Sequence, residues 1–407
     1  MNELVNSVPE GWTSKSVKEI CILGRGSVIS AEYISKHEGI YPVYSSQSQN
    51  NGEMGRIDVY DFDGEYITWT TDGAYAGTVF YREGKFNCTN VCGTLKPKEL
   101  SVSVKFLSYL LSINAKKHVS YVGNPKLMNN VVGSIQLTLP SDPAEQRAIA
   151  DILSTLDEAI VQSESLVWKY QSVKQGLMSD LLTRGVDENG ELRPSYEEMP
   201  ELYIETKTGW IPKEWDIDYL VKRIDFPKRQ VDPRYQPFRS QVLVAPDHIE
   251  QKTGRIIKLA TAEEQNAISG KYPFDKGDVL YSKIRPYLRK AALAEFEGIC
   301  SADIYPLKPH SNLSSGFLLA TVLSEPFSVY ATAVSFRSGF PKINREEMSE
   351  FVAAFPDVDE QERICDILEA IDKTTEIEKE KLSKLQALKQ GLMQDLLSGQ
   401  VRVGGLL

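Results

Sequence analysis

The sequence KQGLMSDLL at Lys174–Leu182 indicates the architecture of the chain, because it recurs as KQGLMQDLL at Lys389–Leu397. A second motif, EQxxIxDIL, begins at Glu145 and again at Glu360. Both motifs recur 215 residues later, so the two copies have the same length. A segment repeated at fixed length is a repeated structural unit, and two copies predict approximate two-fold symmetry within the chain.

Shorter markers extend the repeat beyond these motifs. Three pairs of segments match in type and order: Pro9–Trp12 with Pro212–Trp215, Cys88–Pro97 with Cys300–Pro309, and Gly123–Leu127 with Gly339–Ile343. Their constant order disfavours the alternative that two helices resemble each other by coincidence. The chain therefore reads as globule, helix, globule, helix.

Length and composition limit the class of protein. At 407 residues the chain is long enough for two or three domains with their own cores. It has no run of 18 or more apolar residues and no basic N-terminal region followed by an apolar one, which predicts a cytoplasmic protein without membrane contact. The five cysteines are scattered, as in a reducing compartment, and Cys88 and Cys92 lack the further ligands that a zinc site needs.

The net charge of −10 argues against a simple nucleic-acid binder until it is divided along the chain. Residues 144–204 have 12 acidic and 5 basic side chains, whereas residues 222–290 have 15 basic and 8 acidic ones. DNA responds to a local basic surface and not to the sum over the chain. We therefore expect the acidic helices to bind protein, and the basic segment to be a candidate DNA surface.

Both repeated segments are predicted to be long helices. Apolar residues recur at spacings of three and four in Pro143–Leu182 and in Asp359–Leu397, and Gly185 and Gly399 follow as stop signals. Each helix of about 38 residues would span about 57 Å at 1.5 Å per residue, well beyond an ordinary core helix. The pattern favours an antiparallel coiled coil with the globules at opposite ends. The predicted helix–helix or partner interface comprises Ile149, Ile152, Leu156, Leu177, Leu181, Ile364, Ile367, Ile371, Leu392 and Leu396.

The globules are predicted to be similar mixed α/β (α+β) folds with short strands. Tyr66–Thr70, Thr78–Tyr81 and Asp278–Tyr281 have the composition of strands, and Phe106–Ile113 and Phe317–Leu323 are short apolar helices. The predicted boundaries are residues 1–143 and 208–357 for the globules, 144–184 and 358–400 for the helices, 185–207 for a connector and 401–407 for a tail.

Catalytic motifs are absent or incomplete. Asp232–Tyr235 resembles the Asp/Asn-Pro-Pro-Tyr loop of amino-group DNA methyltransferases, but arginine replaces the second proline and no Phe-x-Gly-x-Gly fingerprint accompanies it. In the nuclease-like segment Pro246–Lys252 only two residues separate Asp247 from Glu250, too few to reach an adjacent strand around Mg²⁺. Gly24–Ser27 lacks the Lys-Ser/Thr of a phosphate loop. The sequence therefore predicts a reader and not an enzyme, without a metal site.

Three stretches combine the residue types that read DNA. Phosphates bind Lys, Arg and backbone amides, and base edges bind Arg, Asn, Gln and Ser. The candidate DNA-binding residues are Ser45, Gln47, Gln49, Asn50 and Arg56 in the first globule, and Lys228, Arg229, Arg234, Arg239, Lys283, Arg285, Tyr287, Arg289 and Lys290 in the second. Each stretch alone also fits a solvated surface loop. Corresponding loops in a duplicated chain without catalytic motifs favour the DNA interpretation.

The twin helix motifs resemble those of the specificity subunit of type I restriction–modification systems, and the resemblance covers the whole chain. Phe355–Gln361 (FPDVDEQ) fits the family's entry to its helix, and the first copy, Leu139–Gln146, has an extra proline. The resemblance implies two target-recognition domains that each read half of an interrupted DNA sequence. It also implies helices that form a coiled coil, space the domains and bind two modification (methyltransferase) subunits. S-adenosylmethionine would be held by the methyltransferase partner, ATP and Mg²⁺ by the restriction partner, and no cofactor by this chain.

The residues and the resemblance agree on a mechanism. Antiparallel helices would place the two globules in opposite orientations, as the two strands of DNA are. Half-sites about 34–36 Å apart, one helical turn of DNA, then lie on the same face of the duplex. Because the globules differ in sequence, we expect an asymmetric target. The alternative function is a coiled-coil scaffold or adaptor whose globules bind protein, which leaves the basic segment 222–290 without a purpose.

Overall fold

The computed structural model describes residues 8–47, 49–206, 209–336 and 340–403, with Gln49 in its backbone only. Two compact units divide the chain. Unit 1 comprises Met1–Ser165 and Lys379–Leu407, and unit 2 comprises Leu166–Glu378. Each unit therefore contains the beginning of one long helix and the end of the other.

The elements follow one another twice in a similar order. The helices of the described residues are α1 (Val17–Ile20), α2 (Ala31–Lys36), α3 (Val104–Ala115), α4 (Asn129–Ser134), α5 (Pro143–Thr183), α6 (Ser315–Leu323), α7 (Glu325–Val334), α8 (Arg345–Ser349) and α9 (Val358–Ser398). The strands of unit 1 are β1 (Trp12–Ser16), β2 (Cys21–Arg25), β3 (Glu38–Tyr44), β4 (Glu53–Ile57), β5 (Phe62–Asp63), β6 (Tyr66–Thr70), β7 (Val79–Arg82), β8 (Lys85–Cys88), β9 (Cys92–Pro97) and β10 (Gln136–Pro140). Those of unit 2 are β11 (Tyr203–Thr206), β12 (Gly209–Pro212), β13 (Asp216–Tyr219), β14 (Ile224–Asp225), β15 (Leu243–Val244), β16 (Lys271–Phe274), β17 (Val279–Ser282), β18 (Ala291–Leu293), β19 (Gly298–Ser301), β20 (Ile304–Pro309) and β21 (Val352–Phe355).

The sheets repeat as well. In unit 1 the strand orders are β2-β9-β6-β7 and β4-β3-β8-β5, and β1 pairs with β10. Unit 2 has β14-β20-β17-β18 and β15-β19-β16, and β13 pairs with β21. One parallel pair occurs at the same place in each unit, β3 with β8 and β15 with β19. The predicted α+β class and internal duplication are therefore confirmed.

The two long helices, α5 and α9, are each 41 residues long and lie within one residue of the predicted helical stretches Pro143–Leu182 and Asp359–Leu397, although α9 ends two residues before the predicted boundary at 400. Gly185 and Gly399 end them in left-handed conformations, with φ of 67° and 75°. In unit 1, Asp157 of α5 pairs with Lys389 of α9, and in unit 2, Lys174 pairs with Asp372 at 2.6 Å. Within unit 1, Glu145 at the start of α5 pairs with Arg402 just after α9, whereas Asp157 further along α5 pairs with Lys389. The two helical segments of this unit are therefore antiparallel, as predicted.

The ends of both helices belong to the cores of the units. Of the predicted interface residues, Ile149, Leu396, Leu181 and Ile364 are fully buried, Ile152, Leu392, Leu177 and Ile367 pack partly buried against the same cores, and Leu156 and Ile371 are half-buried. Val173 and Leu388, which share the apolar spacing, are about half exposed. The apolar residues of the long helices are therefore most buried where a globule also packs against them. The apolar spacing is the same at these positions and at the exposed ones, so the sequence pattern does not distinguish them.

The glutamine of each EQxxIxDIL motif fixes a long helix to its globule. The Oε1 atom of Gln146 accepts a hydrogen bond from Ser103 N at 2.9 Å, and Gln361 accepts one from Ser314 N at 2.8 Å. Ser103 and Ser314 are the N-caps of α3 and α6. The buried amide thus orients the apolar helix of each globule against the first turn of the long helix that follows it.

The segments after the long helices are folded onto the units. The described part of the predicted connector, residues 185–206, contains a bridge between Val186 and Leu192 and the strand β11, which pairs with β12 beyond it. A side chain at Gly185 would lie within 2.5 Å of the Trp215 ring, and one at Gly399 within 3.2 Å of the Trp12 ring. The Pro-x-x-Trp markers therefore provide the surface on which each long helix ends.

Among the described residues, no single helix combines the length and apolarity of a membrane span, and α6 and α7 reach that criterion only together, across a bend of 60°.

Candidate nucleic-acid interface

The polar loop of unit 1, residues 45–52, joins β3 to β4. Ser45 N donates to Gly52 O at 2.8 Å and closes the loop. Asn50 and Asn51 adopt left-handed conformations, with φ of 48° and 51°, which asparagine tolerates better than most residues. Both side chains are exposed at the tip, so the loop presents two amides in a fixed backbone geometry.

Other candidates in this loop serve its own structure. Gln47 Nε2 donates to Glu53 O at 2.6 Å, and Arg56 forms a bidentate pair with Glu53 at 2.8 and 3.1 Å. Arg56 is exposed, but its charge is already matched by a carboxylate. The Gln49 side chain lies outside the described residues.

Arg82, which the sequence analysis did not identify, is buried beneath the loop and stabilises it. Its guanidinium lies 3.5 Å from the Tyr44 ring centroid and 4.4 Å from that of Phe80, and the residue is only 3% exposed. It donates to Asn51 O at 2.8 Å and to Thr68 Oγ1 at 3.2 Å. Burial lowers the pKa of Arg82 to about 10. A buried cation thus sets the shape of the loop tip.

Two candidates in the first basic stretch of unit 2 are ion-paired. Arg234 binds Asp232 at 2.6 Å, and this hydrogen bonding lowers the pKa of Asp232 to about 2. Arg239 binds Glu263 at 2.5 Å. Both pairs are exposed on the surface, where a DNA phosphate would have to compete with the carboxylate.

Four other cations of unit 2 have no such partner. Lys228, Arg229, Arg285 and Arg289 form no side-chain hydrogen bond or ion pair with any residue in the described ranges. Lys228, Arg229 and Arg285 are exposed, and Arg289 is half-buried. Arg285 lies 5.2 Å from the Phe340 ring centroid, a contact that leaves its N–H donors available, so all four side chains can donate to a phosphate or a base edge.

The last two candidates of the second stretch have different environments. Tyr287 is about half exposed. Lys290 is half-buried and donates from Nζ to Pro246 O at 2.7 Å, so its ammonium is used within the unit.

The loop after β17 pairs with one of the repeat markers. Ile284 forms an antiparallel bridge with Lys342, and Arg285 N donates to Pro341 O at 2.8 Å. Arg285 has a left-handed φ of 50°. The first marker residue, Gly339, lies outside the described residues.

Unit 1 contains the same arrangement after β6. Asp72 bridges Lys126, and Gly73 N donates to Pro125 O at 3.0 Å. The two lysines, Lys126 here and Lys342 in unit 2, therefore occupy the same register of the same loop pair, and both are exposed. The Pro-Lys dipeptide shared by the two markers is the sequence signal that could have identified these lysines.

Lys283 begins the second loop and is almost completely buried. Its ammonium lies 4.8 Å from the Tyr305 ring centroid, beside which Arg345 also lies, at 5.6 Å. Burial and then the neighbouring Lys342 lower the pKa of Lys283, while Asp303 acts in the opposite direction. Unit 2 thus concentrates positive charge beside the bridge between the two loops.

A groove in unit 1 lies between α3, α5 and α9. It has a volume of about 630 Å³, and its wall includes Ile113, Ile160 and Met393, with Asp157 and Lys389 beside them. On the helices of unit 2, Trp168 and Ile377 are 70% and 60% exposed. Both surfaces place apolar groups in solvent, as protein contact sites do.

No group of three or more His, Cys, Asp or Glu side chains in the described part of the chain is placed to hold a metal ion. The five cysteines are free thiols, four of them buried. Burial raises the pKa of Cys92 to about 11, which keeps this thiol protonated and unreactive near neutral pH.

Comparison with known proteins gives a consistent result. The family model of the type I restriction modification DNA specificity domain matches residues 9–166 and 251–387. The EcoDI type I specificity subunit of Escherichia coli is 26% identical over 412 residues, which cover 97% of this chain and 89% of that protein. The MpnII specificity subunit of Mycoplasma pneumoniae is 51% identical over 144 residues, 35% of this chain and 43% of that one. That local match therefore spans less than half of the Mycoplasma protein.

Solved structures share the fold over 97% of this chain. The S subunit of a type I restriction–modification system from M. genitalium superposes with a TM-score of 0.62 at 16% identity, covering 97% of this chain and 98% of that one. A chain from a structure on type I complex assembly gives 0.55 at 15% identity, covering 97% and 100%. With the family model matched in both parts of a duplicated fold, and over more than half of its length, the chain belongs to the type I restriction–modification DNA specificity family.

Proposed function

We propose that this chain is the non-catalytic subunit that selects the DNA target of a type I restriction–modification complex, and that each unit reads one half of a bipartite, asymmetric sequence. The observation that supports this most directly is the loop pair that occurs in both units. The backbone bridge is the same, but Asp72 and Gly73 in one unit correspond to Ile284 and Arg285 in the other. Equivalent backbones with different side chains suit two half-sites of different sequence.

The chemistry belongs to partner subunits in this proposal. Two modification subunits hold S-adenosylmethionine and methylate adenine, and restriction subunits use ATP and Mg²⁺. The present chain contributes DNA binding and position. Its unpaired cations, Lys228, Arg229 and Arg285, support the DNA contact, because phosphate affinity depends on cations that have no carboxylate partner of their own.

The long helices dock the modification subunits. The exposed Trp168 and Ile377 support this, because large apolar side chains on a polar helix are typical anchors of protein interfaces. We expect Trp168→Ser to reduce co-purification of the modification subunit and leave the melting temperature unchanged. Lys169→Ser, a change at the next exposed position of the same helix, is the matched control.

Methylome sequencing tests the function as a whole. The chain and its modification subunit are expressed together and separately in a host that lacks both. We expect an interrupted, asymmetric motif with one methylated adenine in each half, present only when both proteins are expressed. If the modification subunit methylates the same motif without this chain, the chain is a scaffold or adaptor and the proposal is wrong.

A further inference from the structure

A buried lysine in unit 2 has no carboxylate within ion-pair distance among the described residues. Lys283 is 7% exposed, and its ammonium lies against the Tyr305 ring. The backbone of Lys283 is hydrogen-bonded to Asp303 and Ile343, but its ammonium forms no hydrogen bond or salt bridge with any residue that the structure describes. Lysine is almost never buried in this way unless it is paired, because removing an ammonium from water is strongly unfavourable.

Two further cations surround this ammonium. Arg345 stacks on the rings of Phe226 and Tyr305, at 5.4 and 5.6 Å, and donates to Pro227 O at 2.6 Å. This contact holds the guanidinium in place at the surface. Lys342 comes from the bridged loop, and its ammonium is close enough to Lys283 to disfavour the charged form there.

The negative charge nearby does not balance these three cations. Asp303 is the one carboxylate within ion-pair distance of the cluster in the described ranges, and it reaches Lys342 at 3.9 Å. Another buried lysine, Lys271, is already satisfied, since it donates to Ser269 O at 2.8 Å and to Ser269 Oγ at 2.7 Å. Three like charges with one carboxylate repel one another, so an added anion would stabilise the arrangement.

We infer that Lys283, Lys342 and Arg345 form a binding site for one phosphate of the DNA backbone, an inference that rests on the proposed function. A phosphodiester has a single negative charge, and its oxygens accept hydrogen bonds from lysine and arginine. Lys342 and Arg345 are exposed at the rim, and Lys283 forms the floor. The exposed Arg285 lies two residues after Lys283 on the same bridged loop. A phosphate bound at this site would therefore position the DNA so that Arg285 faces a particular base.

Unit 1 does not have this site. The corresponding residues in the loop pair are Thr71, Lys126 and Asn129. Lys126 lies 3.8 Å from Asp72, and Asn129 Nδ2 donates to Gly24 O at 2.9 Å. Unit 1 thus retains one cation with a carboxylate beside it. The two units are expected to differ in phosphate contacts as well as in base contacts.

The salt dependence of DNA binding tests the inference. The full chain, assembled with its modification subunits, is titrated against a labelled duplex with the methylome target over a range of salt concentrations. Each neutralised phosphate contributes about 0.9 to the slope of log K against log salt. The double variant Lys283→Met/Lys342→Ala is expected to bind every duplex more weakly and to lose about 1 from that slope. Lys213→Ala, which changes an exposed lysine of unit 2 outside the candidate DNA-binding stretches, is expected to leave the slope unchanged.

The possible outcomes are distinct. A double variant with the wild-type slope overturns the phosphate site, and so does one that changes the preferred sequence while retaining the slope, because that result indicates a base contact. Lys342→Ala alters an exposed side chain, so it tests the site independently of folding. If the wild-type complex does not prefer its target, the proposed function fails, and the slope of the double variant on any duplex still decides the phosphate site.

Discussion

Arg193 donates to both carboxylate oxygens of Glu360, and the pair ties the segment after the first long helix to the first turn of the second. Glu360 is 3% exposed and also accepts from Val186 N at 2.9 Å and from Trp215 Nε1 at 3.2 Å. A carboxylate with four donors in a buried position is well satisfied. The glutamate of the EQxxIxDIL motif therefore has a structural role: it forms an ion pair that holds the segment after one long helix against the start of the other.

Unit 1 has the corresponding arginine–glutamate ion pair in a more exposed position. Arg402 donates to Glu145 at 2.6 and 2.7 Å. The Arg402 side chain is 41% exposed, compared with 15% for Arg193. We expect Glu360→Ala to lower the free energy of unfolding by about 3 kcal/mol, because it leaves the partly buried Arg193 with only the exposed Glu214, 3.8 Å away, and removes the acceptor of Val186 N and Trp215 Nε1. Glu145→Ala should cost less, since Arg402 can regain water. Urea unfolding measures both, and equal losses would contradict this explanation.

Substitution of Arg82 should affect one half of the target only. Arg82→Met removes the donor to Asn51 O and the stacking on Tyr44, so the loop tip of unit 1 loses its fixed geometry. We expect the half of the methylation motif read by unit 1 to become degenerate while the other half stays unchanged, as measured by methylome sequencing. Arg25→Met, which removes an exposed arginine that bonds Asn90 O in the same unit, is the control. Degeneracy in both halves would indicate a general loss of structure instead.

The pH dependence of binding should reveal Lys283. Burial and Lys342 lower its pKa from 10.5, so it loses its proton at a lower pH than an exposed lysine. The protonated form binds phosphate, so DNA affinity should be highest below the lowered pKa and fall as pH rises through it. Without DNA the sign reverses: the folded protein should gain stability between the lowered pKa and 10.5, because the unfolded chain there binds more protons. Lys283→Met should abolish both trends, and its retention of either would exclude Lys283 as the cause.

Lengthening both helices should lengthen the spacer of the target. Four residues inserted after Ser165 and after Glu378 add about one turn and about 6 Å to each helix. We expect the two half-sites to be retained and the spacer to grow by about two base pairs, at about 3.4 Å each. The same insertion in one helix alone should disrupt the antiparallel pairing and abolish methylation. An active double insertion with an unchanged spacer would show that the helices do not set the distance.

The candidate DNA surface was only partly predictable. Composition identified the basic stretch of unit 2, but Arg234 and Arg239 are ion-paired there, whereas Lys228 and Arg229 are not. A carboxylate partner can be 24 residues away, as Glu263 is from Arg239. Local charge counts cannot distinguish a paired cation from an unpaired one, because the fold decides which distant carboxylate lies beside which cation.

The duplication, the two long helices and their ends follow from the amino-acid sequence alone. These are local properties, since helical periodicity and terminal glycines act within a few residues. The tertiary structure alone decided that Glu360 meets Arg193, 167 residues away, and that Lys283 lies beside Tyr305 and Arg345. Such contacts join residues that are distant in the chain. They arise from strand order and packing, which no local pattern specifies.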